Sequence, residues 1–207
     1  MAAGVGCSSA VQPGEGQSQS VRENAVQGAS TINETCTAQN YAGIPITGTM
    51  CGGLAPASNC SPGILYACTN AAENNCTLQA ACDNGCIGPA AVFGSTGACY
   101  TGPAPLTISP STVVGGDTLA FTATTEAGQG GIVNLIELGL YIAEPTDVPI
   151  EIPQGSDSVT VELSTSVVKS QQQAAPWVDI NFGSTHIVSL PQPVTITGAG
   201  GSKKHGH

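Results

Sequence analysis

Eight of the chain's nine cysteines fall between Cys36 and Cys99, and none lies in the 108 residues that follow. They are Cys36, Cys51, Cys60, Cys68, Cys76, Cys82, Cys86 and Cys99. The same 64-residue window holds only twelve larger apolar side chains, Tyr66 and Phe93 among them. Burial alone cannot stabilise so sparse a stretch, so covalent links must take over part of that role. Paired within the window, the eight cysteines make four bridges, each contributing about 2–4 kcal/mol. Their connectivity is not readable, because eight cysteines allow on the order of 100 pairings.

A zinc site is the competing reading of such density. Structural zinc usually shows C-x2-C or C-x4-C pairs with histidines nearby. Here the tightest pair is Cys82-x3-Cys86, and the window has no histidine. The surroundings are neutral or acidic, so nothing cationic favours a reactive thiolate. Disulfides are the expectation, with no metal and no cofactor.

Disulfides of this density belong outside the cytosol. Four basic residues face fourteen acidic ones, for a net charge of −10. No basic stripe is available to replace counterions, which argues against nucleic acid and against anionic membrane surfaces. Residues 1–12 show neither a basic n-region nor an apolar run. That pattern suits a mature form with an added methionine, or a protein that leaves its cell without a signal, such as a virion component. Cys7 is the odd cysteine. Its Gly-Val-Gly-Cys setting resembles a bacterial lipoprotein cleavage site, though the apolar segment before it is missing. The open readings for Cys7 are a free thiol, an intersubunit bridge and a lipid-linked thiol.

Four stretches follow in order. Residues 1–31 form a polar arm rich in Ser, Gln, Gly and Ala, which cannot bury enough apolar surface to fold alone. Within it, Val21, Arg22 and Val26 offer a short extended segment able to add a strand to an open sheet edge. Residues 32–102 form the cysteine-rich module. There Gly43–Met50 reads as extended and Asn75–Cys86 as a helix, capped by Thr77 and stopped at Asn84-Gly85. Cys82 and Cys86, one turn apart on such a helix, reach different partners more easily than each other. Asn33, Asn59 and Asn75 open N-x-S/T sequons, which would be glycan acceptors in a eukaryotic secretory protein and otherwise reflect a composition rich in Asn, Ser and Thr.

Gly102-Pro103-Ala104-Pro105 reads as a stiff linker and domain boundary. Beyond it cysteine vanishes and period-2 alternation begins. Leu119, Phe121 and Ala123 alternate with polar or small neighbours, as do Val159, Val161 and Leu163, then Val178, Ile180 and Phe182. Val188 with Leu190, and Val194 with Ile196, follow the same period. Ile136, Leu138, Leu140 and Ile142 are expected on one strand face. Seven or eight short strands over 103–199 predict an antiparallel β-sandwich, with 200–207 as a tail.

The opening of this half resembles the first two strands of bacterial Ig-like and fibronectin-III-like surface modules. In those modules an S-P-x-x-V-x-x-G-D-T phrase precedes the second strand. Here the phrase reads Ser109-Pro110-Ser111-Thr112-Val113-Val114-Gly115-Gly116-Asp117-Thr118. The cysteine-rich half resembles no such family. The expected fold class is therefore mainly β: a disulfide-stapled cysteine-rich module followed by an Ig-like antiparallel β-sandwich.

No residue set reads as catalytic. His186 lies in a strand pattern, His205 and His207 belong to the Lys203–His207 tail, and no nucleophile or phosphate-loop motif occurs. Glu144, Asp147, Glu151 and Asp157 gather in one loop region without calcium-loop spacing. Lys169 is too isolated to argue for an isopeptide crosslink, and Trp177 reads as a sheet cover or a partner contact. The expectation is a non-enzymatic extracellular or cell-surface structural subunit, self-associating in a filament or appendage. The alternatives are an adhesin or virion decoration protein binding cell-surface glycans, and a secreted cysteine-rich effector or inhibitor.

Overall fold

The computed structural model describes residues 32–39, 46–54, 57–70, 75–89, 95–126, 128–145 and 150–198. Every regular element among them is a strand. The first sheet runs in the order β3 (Ala57–Ser58), β1 (Thr35–Gln39), β5 (Asn75–Ala80), β4 (Leu65–Asn70), β2 (Gly48–Cys51) and β7 (Ser95–Thr96). Cysteine placement sets its register. Cys76 of β5 lies opposite Cys68 on one side and Cys36 on the other. Cys68 bonds Cys76, and Cys36 bonds Cys60 in the loop after β3. Tyr66, Met50, Ile46 and Ile64 fill the space that the sulfurs leave.

The expected helix over Asn75–Cys86 is not formed. Its first half is β5, hydrogen-bonded between β1 and β4 and fastened through Cys76. Two flanking strands and a covalent bond outweigh a weak local preference. Asn84-Gly85 has no helix to stop and lies instead at a turn, where Gly85 takes a φ of +83° that suits glycine alone without strain. Cys82 and Cys86 bond to Cys99 and Cys51, not to each other.

A second six-stranded sheet, the large sheet of the sandwich, is ordered β13 (Ile150–Ile152), β12 (Gly131–Ile136), β16 (Trp177–Phe182), β17 (Thr185–Val188), β6 (Cys86–Pro89) and β8 (Ala98–Cys99). Its last two strands come from the cysteine-rich stretch. The Gly102–Pro105 boundary therefore separates two compositions but not two sets of strands. Ile87 of β6 pairs with Ile187 and packs against the same core as the sandwich strands.

The third sheet, β14 (Ser158–Ser164), β11 (Thr118–Thr124) and β9 (Leu106–Ser109), faces the large one. Phe121, Leu119, Val178, Ile180 and Ile187 meet between them in one buried cluster. Each such side chain contributes about 1.5–3 kcal/mol on burial. Three short strands form a fourth sheet, ordered β10 (Thr112–Val114), β18 (Val194–Thr197) and β15 (Gln172–Ala174). After the cis Ser109–Pro110 bond the chain leaves β9 and runs parallel to β18. Strand β12 stops at Ile136, so the expected face from Ile136 to Ile142 is broken. Glu137 follows with a φ of 58°, and Leu140 ends 91% exposed while Leu138 and Ile142 are buried.

The first sheet covers part of the outward face of the large one, around Trp177 and Val188. Cys51 and Leu65 pack against Trp177, Val188 and Cys86, and the Cys51–Cys86 bridge joins the two sheets covalently. Backbones approach closely there: a Cβ on Gly85 would sit 2.1 Å from the Val188 carbonyl oxygen. Trp177 is thus a buried cover at this junction, not an exposed anchor.

Candidate assembly edge

Strand β14 is paired on one side only among the described residues. Its seven residues lie in register with β11, from Ser158 opposite Thr124 to Ser164 opposite Thr118. At its far end the other side is briefly occupied, where the Ala143 N–H donates to the Ser164 carbonyl at 2.9 Å. Peptide groups alternate along a strand. The N–H and C=O of Glu162, Thr160 and Ser158 therefore point to the same side as the Ser164 carbonyl, away from β11. The close Thr122–Thr160 hydroxyl contact, 2.9 Å, is what a non-hydrogen-bonded pair allows.

Beside this edge lies a slot of about 470 Å³ between β14 and β13. Val159, Val161, Leu163 and Ile150 supply its apolar lining, and Glu144, Glu151 and Glu162 also border it. Val159 and Val161 pair with Ala123 and Phe121 on the core side of β11, yet both stay only half-buried. A core-facing valine left half-exposed beside unpaired backbone marks a place where a further strand fits. The acidic border disfavours an anionic occupant by like-charge repulsion.

The other anticipated residues are distributed as follows. All eight cysteines of the window are paired, as Cys36–Cys60, Cys51–Cys86, Cys68–Cys76 and Cys82–Cys99. The sulfurs of Cys36, Cys60 and Cys76 lie within 4.8 Å of one another because two bridges are neighbours on the first sheet. Cys7, Val21, Arg22 and Val26 lie outside the described residues, as do Asp147 and the Lys203–His207 tail. Asn33 and Asn59 are exposed, but their amides are engaged. The Asn33 side chain donates to the Asn59 carbonyl at 2.5 Å, and Asn59 Oδ1 accepts from the Thr37 N–H at 2.8 Å. Asn75 opens β5. Lys169 is exposed, whereas an isopeptide bond needs a buried lysine.

His186 has a partner that its sequence setting did not reveal. Its Nδ1 lies 2.8 Å from Asp179 Oδ1, diagonally across the β16–β17 pair on the outward face of the large sheet. Further along that face a hollow of about 610 Å³ is bordered by Gln129, Ile132, Glu151, Asn181, Phe182 and Gly183. The open side of β14 is equally absent from the sequence pattern, since alternation reports burial but not the number of neighbours a strand has. The sequence matches no known protein family, no curated protein and no solved structure.

Proposed function

We propose that this chain is a non-enzymatic extracellular structural subunit, which joins copies of itself into a filament- or appendage-type assembly through the open edge of β14. Four disulfides suit an oxidising compartment. A surface carrying few charges suits burial against further copies. The observation that carries the reading is the side of β14 left unpaired among the described residues, above an apolar slot. Monomeric proteins protect such edges, because they template pairing with another chain. The resemblance of residues 109–118 to the opening of Ig-like and fibronectin-III-like surface modules suits such a subunit.

The test is Thr160→Pro in the full chain. Its N–H faces away from β11, so proline removes a donor from the open edge and no bond from the β11–β14 ladder. The variant is expected to keep its thermal midpoint within a few degrees and to lose large species in light scattering and negative-stain microscopy. A variant that assembles like the parent, or a parent that stays monomeric at every concentration, overturns the reading. The glycan-binding alternative rests on the hollow at Asn181 and Phe182, where amides adjoin apolar surface. It predicts glycan-array binding by the monomer that Asn181→Ala abolishes.

A further inference from the structure

An added strand at β14 must place alternate side chains into an apolar slot bordered by acids, and it must span about six residues. Both demands can be tested against the polar arm. Residues 20–26 meet them poorly. Val21 and Val26 are an odd number of positions apart, so they project from opposite faces of a strand, and Glu23 shares the face of Val21. A carboxylate would then enter a slot already flanked by Glu144, Glu151 and Glu162.

Residues 3–11 meet them well. One face carries Ala3, Val5, Cys7, Ser9 and Val11, and the other carries only Gly4, Gly6, Ser8 and Ala10. The segment has no charge, and Pro13 follows, where a strand pairing through its N–H would end. Seven residues from Val5 to Val11 extend about 20 Å, close to the open length of β14.

Building on the assembly reading, we propose that the occupant is residues 3–11 of a neighbouring copy, added to β14 with Val5, Cys7 and Val11 towards the slot. The layer order favours a neighbour over the chain's own arm. Ile32 enters the first sheet's cluster on the outward side of the large sheet, while β14 lies on its inward side. A donor and an acceptor on different surfaces make a head-to-tail contact, which yields a filament where the rotation between copies does not close a ring. Cys7 thereby gains a place. It is the one cysteine outside the four bridges, and it reaches the slot as a small apolar side chain. The corresponding assignment of the arm contact to Val21, Arg22 and Val26 gives way.

The test is a crosslink in the full chain. Val161→Cys and Val159→Cys each put a thiol in the slot, at nearly unchanged volume. Mild oxidation with diamide joins this thiol to Cys7 Sγ. The two thiols give up two protons and two electrons, and diamide is reduced to its hydrazine. Expected is a ladder of dimers and higher multimers on non-reducing gels, lost with reductant and lost when Cys7→Ser is added. Val5→Asp is expected to weaken assembly roughly tenfold or more, because a carboxylate would be buried without a partner, whereas Val21→Asp leaves it unchanged. A crosslink confined to monomers assigns the slot to the chain's own arm and overturns the proposal. So does a crosslinked dimer that survives Cys7→Ser: the one thiol then left per chain can join only two chains, which would mean pairing between two β14 edges. Absence of any crosslink at both positions overturns it as well. If Thr160→Pro still abolishes assembly in that case, the edge stands and only the occupant falls.

Discussion

The first sheet and the sandwich are both all-β, yet they are held by different chemistry. Four of the nine buried residues in the first sheet's main cluster are cysteines. None of the eighteen in the sandwich cluster is. In the first sheet, order depends on bonds that survive heat and solvent but not reductant. The sandwich depends on apolar burial, which is indifferent to redox state and sensitive to any loss of volume. A Cys51–Cys86 bridge and the shared strands β6 and β8 tie these two regimes together. The comparison teaches that one chain can use two independent sources of cohesion while forming a single stack of sheets.

The largest expected effect comes from reduction. Four bridges at about 2–4 kcal/mol each rival the whole stability of an ordinary domain. Reductant should release the first sheet and uncover Trp177, which Gly53 and Val188 now crowd. Its fluorescence should shift to the red while the amides of Phe121 and Ile180 stay protected from hydrogen exchange. Loss of that protection would mean that the two regimes unfold as one. Next in size is Phe121→Ala, with an expected cost of about 3–5 kcal/mol because the side chain is fully buried. The denaturant midpoint should fall, with all eight window cysteines still resisting alkylation without reductant; newly reactive thiols would break the separation.

The smallest effect concerns Tyr100, which belongs to the sandwich core although it follows the last cysteine by one residue. Burial, and secondarily the Glu126 carboxylate, raise its pKa above the ordinary 10.0. A raised folded-state value means that the full contribution is present below pH 10 and is lost as pH climbs through the folded-state value. Tyr100→Phe should flatten that alkaline loss without changing the neutral-pH midpoint appreciably. An unchanged alkaline slope would assign it to other groups.

The sandwich strands were legible because alternation is a local signal. Leu119, Phe121 and Ala123, Val178 and Ile180, and Val194 and Ile196 all occupy the faces that their period implies. The disulfide character of the window was equally legible from counts alone. Three things were not. The stretch Asn75–Ala80 became a strand through Cys76 and two neighbours, none of them visible within a helical window. Leu140 kept the period but lost its strand at Glu137. Membership of Cys86–Pro89 in the sandwich sheet arises from pairing with Thr185–Val188, about a hundred residues away, and local composition at 102 conceals it. At the candidate edge, Val159 and Val161 were readable as core-facing. Their half-burial was not, because it depends on which strand is missing from the other side.

The parallel run of β10 beside β18 has a mechanical side. Val113 lies opposite Ile196, and Gly115 donates to the Thr197 carbonyl at 2.9 Å. Traction between residues before β10 and residues after β18 pulls these parallel strands along their own axes in opposite directions. The hydrogen bonds between them are then strained together and cannot be peeled one at a time. On the N-terminal side the same traction passes into a sheet cross-braced by sulfur. A chain built this way would resist such traction along its length before it yielded.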